Sequence, residues 1–193
     1  MKKRMILVTS PPASGKTFVS KQLAKRLPNV IYLDKDALIP LSSQIFKVAG
    51  EENNRSSAFF EEHIRNYEYI AILDIAFEAL EYADLVLINA PFTREVRDNE
   101  YIKNLKEKLA SHGAELILIW VEADIEISRK RMIARNSPRD TWKLANWDEY
   151  VAGRDYSTPN LPSLAGCLVK FFNSNNVEFN ESMERITKFL LEE

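Results

Sequence analysis

A lysine and a hydroxyl group follow a turn near the start of the chain, in the sequence ILVTSPPASGKTF at residues 6–18. Residues 10–17 of this segment match the pattern G-x-x-x-x-G-K-[ST], with Ser10 in place of the first glycine. A tight loop of this kind turns backbone N–H groups inward, and the helix that follows adds its partial positive charge. Lys16 would neutralise the β- and γ-phosphates of a nucleotide, and the Thr17 hydroxyl would coordinate Mg²⁺.

Residues 10–17 are called the phosphate loop below. We expect ATP, the predicted cosubstrate, to contact a continuous set of residues here: Pro12, Ala13, Ser14, Gly15, Lys16, Thr17 and Phe18. Gly15 has no Cβ, so the backbone can approach a phosphate closely. The alternative is an ordinary strand-to-helix turn with an exposed lysine.

Two carboxylates separated by one residue lie at the end of a second apolar run, in YLDKDALI at residues 32–39. Next to a phosphate site, such a pair suits phosphoryl transfer. One carboxylate can hold a water on Mg²⁺ while the other accepts the proton of an attacking hydroxyl. The alternative is structural, with Asp36 as the N-cap of a helix over 37–48 and Asp34 as a solvated loop residue.

Short apolar and β-branched runs alternate with helical patterns along the chain. The runs are continuous rather than alternating, which is typical of buried parallel strands, and they lie at residues 5–9, 30–33, 85–88, 116–121 and 168–172. Apolar stripes of helical spacing separate them, one of which runs through Phe60, Ile64, Tyr67 and Ala71. The last helix has a possible cap at Asn180. The pattern predicts a doubly wound α/β fold with a five-stranded parallel sheet.

Basic residues are concentrated between residues 128 and 139, in an otherwise slightly acidic protein. The arginines are Arg129, Arg131, Arg135 and Arg139. Because Arg131 and Arg135 are four residues apart, they share a helix face and can stabilise a transferring phosphoryl group beneath a closing lid. The alternative is a solvated basic face paired with neighbouring carboxylates. Trp142 and Trp147 follow, either stacking on a ligand or packing the lid, and packing is the simpler expectation.

Composition limits the partners. The chain has 193 residues, a net charge of −2 and a pI near 5.9, which favours neither nucleic acid nor an anionic membrane surface. Cys167 is the only cysteine, and no run approaches 18 uncharged residues. We expect one domain over residues 1–193, a lid at about 124–150 and a cytoplasmic location; the oligomeric state stays open.

These motifs resemble the small P-loop kinases of the shikimate kinase, gluconate kinase, chloramphenicol phosphotransferase and zeta-toxin type. SPPASGKT is similar to their phosphate loop, DKDALI to the segment after their second strand, and the arginines from 129 to 139 to their lid. The resemblance implies a P-loop NTPase fold with a helical lid. It also implies that Asp34 supports Mg²⁺, that Asp36 contacts the acceptor hydroxyl, and that Arg131 and Arg135 act in catalysis with Lys16.

The acceptor would be covered by residues 37–70, as in the resembling kinases. Arg55 and Arg65 are candidates to bind an anionic group of the acceptor, and His63 could hydrogen-bond a hydroxyl; the simpler alternative for each is a surface residue. Asn89 stands where many nucleotide-binding folds have an acidic residue at the end of the third strand. Its amide oxygen could hold a metal-bound water, or it could be a hydrogen-bonded strand end.

The predicted function is transfer of the γ-phosphate of ATP, with Mg²⁺, to a hydroxyl of a small-molecule acceptor. The alternative is an ATP-binding regulatory or interaction protein with little transfer chemistry. Asp36 distinguishes the two, because a kinase needs a base for the acceptor whereas a binding protein needs only Lys16 and Thr17.

Overall fold

One sheet of five parallel strands forms the centre of the protein. The computed structural model describes residues 2–137 and 140–192. The strands are β1 (Lys3–Thr9), β2 (Ile31–Asp34), β3 (Leu85–Asn89), β4 (Ala114–Glu122) and β5 (Leu168–Phe172), in the spatial order β2-β3-β1-β4-β5. The predicted five-stranded parallel sheet is confirmed.

Helices connect the strands and follow the last one. They are α1 (Lys16–Arg26), α2 (Ile39–Ala49), α3 (Ala58–His63), α4 (Arg65–Leu80), α5 (Asn99–Ser111), α6 (Ile125–Arg135), α7 (Thr141–Ala145), α8 (Trp147–Ala152) and α9 (Asn176–Leu191). Within the two described ranges, no helix is both long enough and apolar enough to span a lipid bilayer.

The central strand β1 is buried on both faces, which explains its continuous apolar sequence. Met5 and Leu7 belong to a core that includes residues of α4 and α5. Ile6 and Val8, which point the other way, pack in a second core with residues of α1 and α9. Helices therefore cover both faces of the sheet, as a doubly wound fold requires.

Two details of the helices differ from the sequence prediction. The apolar stripe from Phe60 to Ala71 spans two helices, because the chain breaks at Ile64, between α3 and α4. The cap of α9 is Asn175 rather than Asn180: its side chain accepts a hydrogen bond from the backbone N–H of Glu178 at 3.0 Å. Asn and Asp are both good caps, so an asparagine-rich stretch offers several candidates, and the packing of α9 on β5 selects one.

A buried carboxylate joins the segment after β2 to α4. Glu68 is 4% exposed and accepts hydrogen bonds from Lys35 Nζ at 2.6 Å and from both Arg55 Nη atoms at 2.6 and 2.7 Å. Ser42 of α2 donates a further hydrogen bond to it. Burial alone would raise the pKa of Glu68, but the bonds from Arg55, Lys35 and Ser42 outweigh it and lower the pKa to about 2. We call these four residues the Glu68 cluster.

Replacing Glu68 should destabilise the fold strongly. Glu68→Gln keeps the volume of the side chain but leaves Lys35 buried without a countercharge, and breaking a buried pair typically costs about 3 to 5 kcal/mol. Urea unfolding of wild type and variant at neutral pH measures the difference. Glu100→Gln is the matched control, because it breaks a solvent-exposed ion pair with Lys103 and should leave the unfolding midpoint unchanged.

The same carboxylate should make stability depend on pH in the acid range. The pKa of Glu68 is lowered in the folded state from its ordinary 4.5 to about 2, so its contribution is complete above about pH 4.5 and is lost as the pH falls towards 2. The Glu68→Gln variant should therefore lose less stability than wild type across this interval. Parallel loss in the two proteins would show that the Glu68 carboxylate is not specially stabilised.

Candidate functional site

The phosphate loop joins the carboxyl end of β1 to the first turn of α1. Its left-handed residues are Ala13, with φ 63°, and Gly15, with φ 91°. Ser10 is not among the residues with positive φ, so a serine fits where the pattern has its first glycine. Gly15 is the N-cap of α1, which directs the helix N-terminus into the loop.

Two side chains from other parts of the chain hold the phosphate loop from outside. Arg131 of α6 donates from Nη1 to the carbonyl oxygen of Ser14 at 3.1 Å and from Nη2 to that of Asn173 at 2.6 Å. Asn173, just after β5, donates from Nδ2 to the same Ser14 oxygen at 2.7 Å. The outer carbonyl of the loop is thus satisfied by protein donors. The side chain of Arg131 therefore contacts the backbone of the phosphate loop, and the catalytic role expected of it from the sequence stays a prediction.

Lys16 lies at the start of α1 and is already engaged. Its Nζ donates to Oδ1 of Asn89 at the end of β3, at 2.6 Å. Burial lowers the pKa of Lys16 to about 8, although the nearby Asp36 and Asp34 partly oppose this shift. Because bound phosphate would favour the charged form, Lys16 suits a site that gains negative charge on binding.

Asp34 ends β2 directly beside Asn89, since the two residues are partners in the parallel register of β2 and β3. Its Oδ2 accepts from Asn89 Nδ2 and from the Tyr32 hydroxyl, both at 2.9 Å, and its Oδ1 accepts from the backbone N–H of Asp36 at 3.0 Å. Burial would raise the pKa of Asp34, but these hydrogen bonds outweigh it and lower the pKa. Asp34 is therefore a carboxylate at neutral pH, with acceptor capacity left on Oδ1.

The hard oxygen ligands that Mg²⁺ prefers are present around Asn89. Thr17 Oγ1 lies 3.3 Å from Asn89 Nδ2, the same atom that contacts Asp34. A hydroxyl and a carboxylate at the mouth of a phosphate loop fit Mg²⁺, which binds one or two protein oxygens and completes its shell with water and substrate phosphates. Asn89 Oδ1 accepts from Lys16, so this oxygen is engaged by the lysine here, and the metal-water role considered from the sequence stays a prediction.

Asp36 lies in the short 3-10 turn after β2, with its side chain exposed at the same edge of the sheet. The cap of this turn is Asp34, whose side chain accepts from the Asp36 N–H, so the structural alternative for Asp36 as a helix cap is wrong. Within residues 2–137 and 140–192, no hydrogen bond or ion pair engages the Asp36 carboxylate. It is available to a ligand.

Arg135 is turned into the lid segment rather than towards the phosphate loop. It donates from Nε to Asp140 at 2.9 Å, and Lys143 donates to the same carboxylate at 3.0 Å. Asp140 is fully buried. Arg139, also predicted to belong to the lid, lies outside the described residues.

The two tryptophans of the lid differ in exposure. Trp147 is buried against Met132 of α6 and Tyr150, so it packs the lid, as expected. Trp142 is 56% exposed. The lid helices therefore form a small core of their own beside the phosphate loop.

The arginines predicted for the acceptor are both paired. Arg65 contacts Glu95 at 2.7 Å and lies over the ring of Tyr69, and only 11% of its side chain is exposed. Arg55 belongs to the Glu68 cluster. His63 is about half exposed and lies next to Phe59. Each of these two arginines is thus already paired with a carboxylate of the protein.

A cleft beside the phosphate loop was missed by the sequence reasoning. It has a volume of about 570 Å³. It is lined by Gly15, Phe18, Arg131, Asn173, Ser174, Asn175, Asn176, Phe179 and Asn180. The available signal was the position of the NSNN stretch, because the loop after β5 opens at the ligand-binding edge of the sheet.

Comparison with known proteins places this chain in a family. A family model described as an AAA domain matches residues 5–155, and the chain belongs to that family, a P-loop domain that implies nucleotide binding. Among curated proteins, none matches the sequence.

Solved structures share the fold. A suspected kinase from Chloroflexus aurantiacus J-10-fl is 22% identical, with a TM-score of 0.66 over 98% of this chain and 97% of that one. Shikimate kinase from Bacteroides thetaiotaomicron is 15% identical, with a TM-score of 0.59 over 97% and 98%. A gluconokinase from Sinorhizobium meliloti 1021 is also 15% identical, with a TM-score of 0.53 over 97% and 95%. The fold is therefore that of small-molecule P-loop kinases.

A methyl group at position 15 should abolish phosphate binding. In Gly15→Ala the added Cβ would lie 2.4 Å from Asn173 Nδ2, and the left-handed φ of 91° is strained for alanine. Either the Asn173 side chain or the loop must then shift, and either movement disturbs the hydrogen bond from Asn173 to Ser14 that holds the loop. Calorimetric titration with ATP and Mg²⁺ should detect little or no binding.

Gly50→Ala is the matched control for backbone strain. Gly50 also has a left-handed φ, 73°, but no atom lies within 4 Å of its added Cβ, and it ends α2. Gly50→Ala should be less stable than wild type but should bind the nucleotide with unchanged affinity. Equal nucleotide affinity in Gly15→Ala and Gly50→Ala would show that the phosphate loop does not bind the nucleotide.

Proposed function

We propose that this protein is an ATP-dependent phosphotransferase that transfers the γ-phosphate to a hydroxyl of a small-molecule acceptor. The observation that carries the proposal is the carboxylate of Asp36, which no residue of the described ranges engages, beside Asp34 and Lys16 at the mouth of the phosphate loop. A protein that only binds nucleotide needs no carboxylate at that position. Membership of the AAA domain family and the fold of small-molecule kinases support the nucleotide part of the proposal.

The nucleotide would lie across the start of α1. Its phosphates would accept from the inward-facing backbone N–H groups of the phosphate loop and from Lys16. Its base would enter the cleft beside Phe18, where an aromatic ring and amide side chains offer stacking and hydrogen bonds. Phe18 is 56% exposed, a large apolar surface that a planar base would cover.

The cation would be held by Thr17 and Asp34. When bound, Mg²⁺ neutralises charge on the β- and γ-phosphates. Tyr32 donates to Asp34, and because burial and this hydrogen bond raise the pKa of Tyr32, the hydroxyl stays a neutral donor at physiological pH.

Asp36 would act as the general base. The acceptor oxygen attacks the γ-phosphorus, its proton passes to the Asp36 carboxylate, and the bond from the γ-phosphorus to the β–γ bridging oxygen breaks to release ADP. Arg135 could reach the transferring group only by leaving Asp140, a movement that would belong to closure of the lid. Arg131 would then keep the loop in place.

The acceptor would bind between Asp36 and α2 to α4, where Arg65 is the predicted contact. Because Arg65 is paired with Glu95, an anionic acceptor would either share the guanidinium with that carboxylate or displace it. We propose a cytoplasmic location for the reaction.

Replacing Asp36 should separate transfer from binding. Loss of a positioned base typically costs 10² to 10⁴-fold in rate, about 3 to 5 kcal/mol of barrier. We expect Asp36→Asn to bind ATP with Mg²⁺ as wild type does and to lose transfer by this factor. Sugars, antibiotics and metabolite alcohols are screened with wild type for ADP formation, and the active acceptor is then given to the variant.

Asp74→Asn, an exposed change on α4, is the control and should keep full activity. Full transfer activity in Asp36→Asn would show that Asp36 is not the general base. Nucleotide binding by wild type without turnover on any alcohol would instead favour a regulatory nucleotide-binding protein.

A further inference from the structure

The side chain of Asn89 is the point at which the parts of the candidate site meet. It is 2% exposed, at the carboxyl end of β3. Its Oδ1 accepts from Lys16 Nζ at 2.6 Å and lies 3.4 Å from Ser20 Oγ. Its Nδ2 donates to Asp34 Oδ2 at 2.9 Å and to Thr17 Oγ1 at 3.3 Å. One amide therefore contacts the predicted phosphate ligand and both predicted metal ligands.

The orientation of this amide follows from the charges around it. The reversed amide would place Nδ2, a donor, against the Lys16 ammonium, which also only donates. It would also place Oδ1 against the Asp34 carboxylate, which only accepts. Both contacts would be repulsive, so the neighbours select the orientation found here.

The donor end of the amide cannot itself bind a metal ion. It contacts Asp34 through Oδ2, which also receives the Tyr32 hydroxyl, so the free capacity of this carboxylate is on Oδ1. Thr17 Oγ1 accepts from the same Nδ2 and keeps its second lone pair. Asn89 thus fixes which oxygen of Asp34 and which lone pair of Thr17 Oγ1 remain free. It also fixes how far apart these two side chains lie.

We propose that Asn89 is a positioning residue that holds Asp34 and Thr17 in place to receive the cation of a magnesium–nucleotide complex. The proposal rests on the proposed function, because it concerns how that complex is held. Phosphate would replace Asn89 Oδ1 as the partner of Lys16, while the Nδ2 contacts, at the other end of the amide, persist. Asn89 itself touches neither the cation nor the reacting atoms.

An acidic residue at this position would act differently. The substitution Asn89→Asp nearly preserves the shape of the side chain, but it would put a carboxylate oxygen 2.9 Å from Asp34 and pair directly with Lys16. Like charges at this distance repel, and the ion pair would hold Lys16 away from phosphate. A leucine in place of Asn89 would keep the volume and remove both ends of the amide.

The test measures how much Mg²⁺ strengthens nucleotide binding. A non-hydrolysable ATP analogue is titrated into each protein with Mg²⁺ and with EDTA, and the ratio of the two affinities is compared. In Asn89→Leu and Asn89→Asp we expect this ratio to fall about tenfold or more relative to wild type, since a hydrogen bond to a charged group has been lost. Thermal unfolding of the unliganded variants establishes that they are folded; if the leucine variant is not, the isosteric Asn89→Asp decides.

Ser20→Ala is the matched control, because Ser20 borders Asn89 Oδ1 but contacts neither Thr17 nor Asp34, and its ratio should equal that of wild type. An unchanged ratio of the affinities with Mg²⁺ and with EDTA in folded Asn89 variants would overturn the positioning role. A higher ratio in Asn89→Asp would also overturn it, because it would make position 89 a metal ligand. Wild-type protein that binds no nucleotide would contradict the proposed function itself, and the role of Asn89 with it.

Discussion

A cationic lysine and a carboxylate must lie close together in this site without neutralising each other, and the amide of Asn89 meets this constraint. It accepts from Lys16 at one end and donates to Asp34 at the other, so each charge has a neutral partner until a ligand arrives. The parallel register of β2 and β3 makes the arrangement possible, because Asp34 and Asn89 are register partners at the end of their strands. Lys16 reaches the same edge through the phosphate loop, which follows the neighbouring strand β1 at the centre of the sheet.

The rest of the fold keeps these side chains at one edge. On one side, the Glu68 cluster fixes Lys35, and this buried lysine lies between Asp34 and Asp36 in the chain, so both carboxylates stay at the carboxyl edge of the sheet. On the other side, Arg131 and Asn173 donate to Ser14 and hold the phosphate loop against α6 and the end of β5. Together, these two anchors decide where the functional groups of the site lie.

The fold and the phosphate loop could be predicted because both depend on local patterns. Continuous apolar runs identify buried strands, and Gly15-Lys16-Thr17 after a strand identifies a helix N-terminus that can bind phosphate. The partners of the other charged groups could not be predicted, since Lys35 and Glu68 are 33 residues apart and only the fold brings them together. For the same reason, the pairing of Arg65 with Glu95 could not be predicted. Nor could the contact of Asn173 with the phosphate loop, because it depends on β5 lying beside β4.

The account depends most on Lys16 binding nucleotide phosphate, and a calorimetric titration of ATP and Mg²⁺ into Lys16→Ala tests this directly. Loss of a charged hydrogen-bond donor to phosphate should weaken binding about 100-fold or more, while Lys21→Ala, an exposed change on the same helix, should bind as wild type. Thermal unfolding of the unliganded variant establishes that it is folded. Unchanged affinity in folded Lys16→Ala would contradict the account, because the nucleotide would then bind elsewhere.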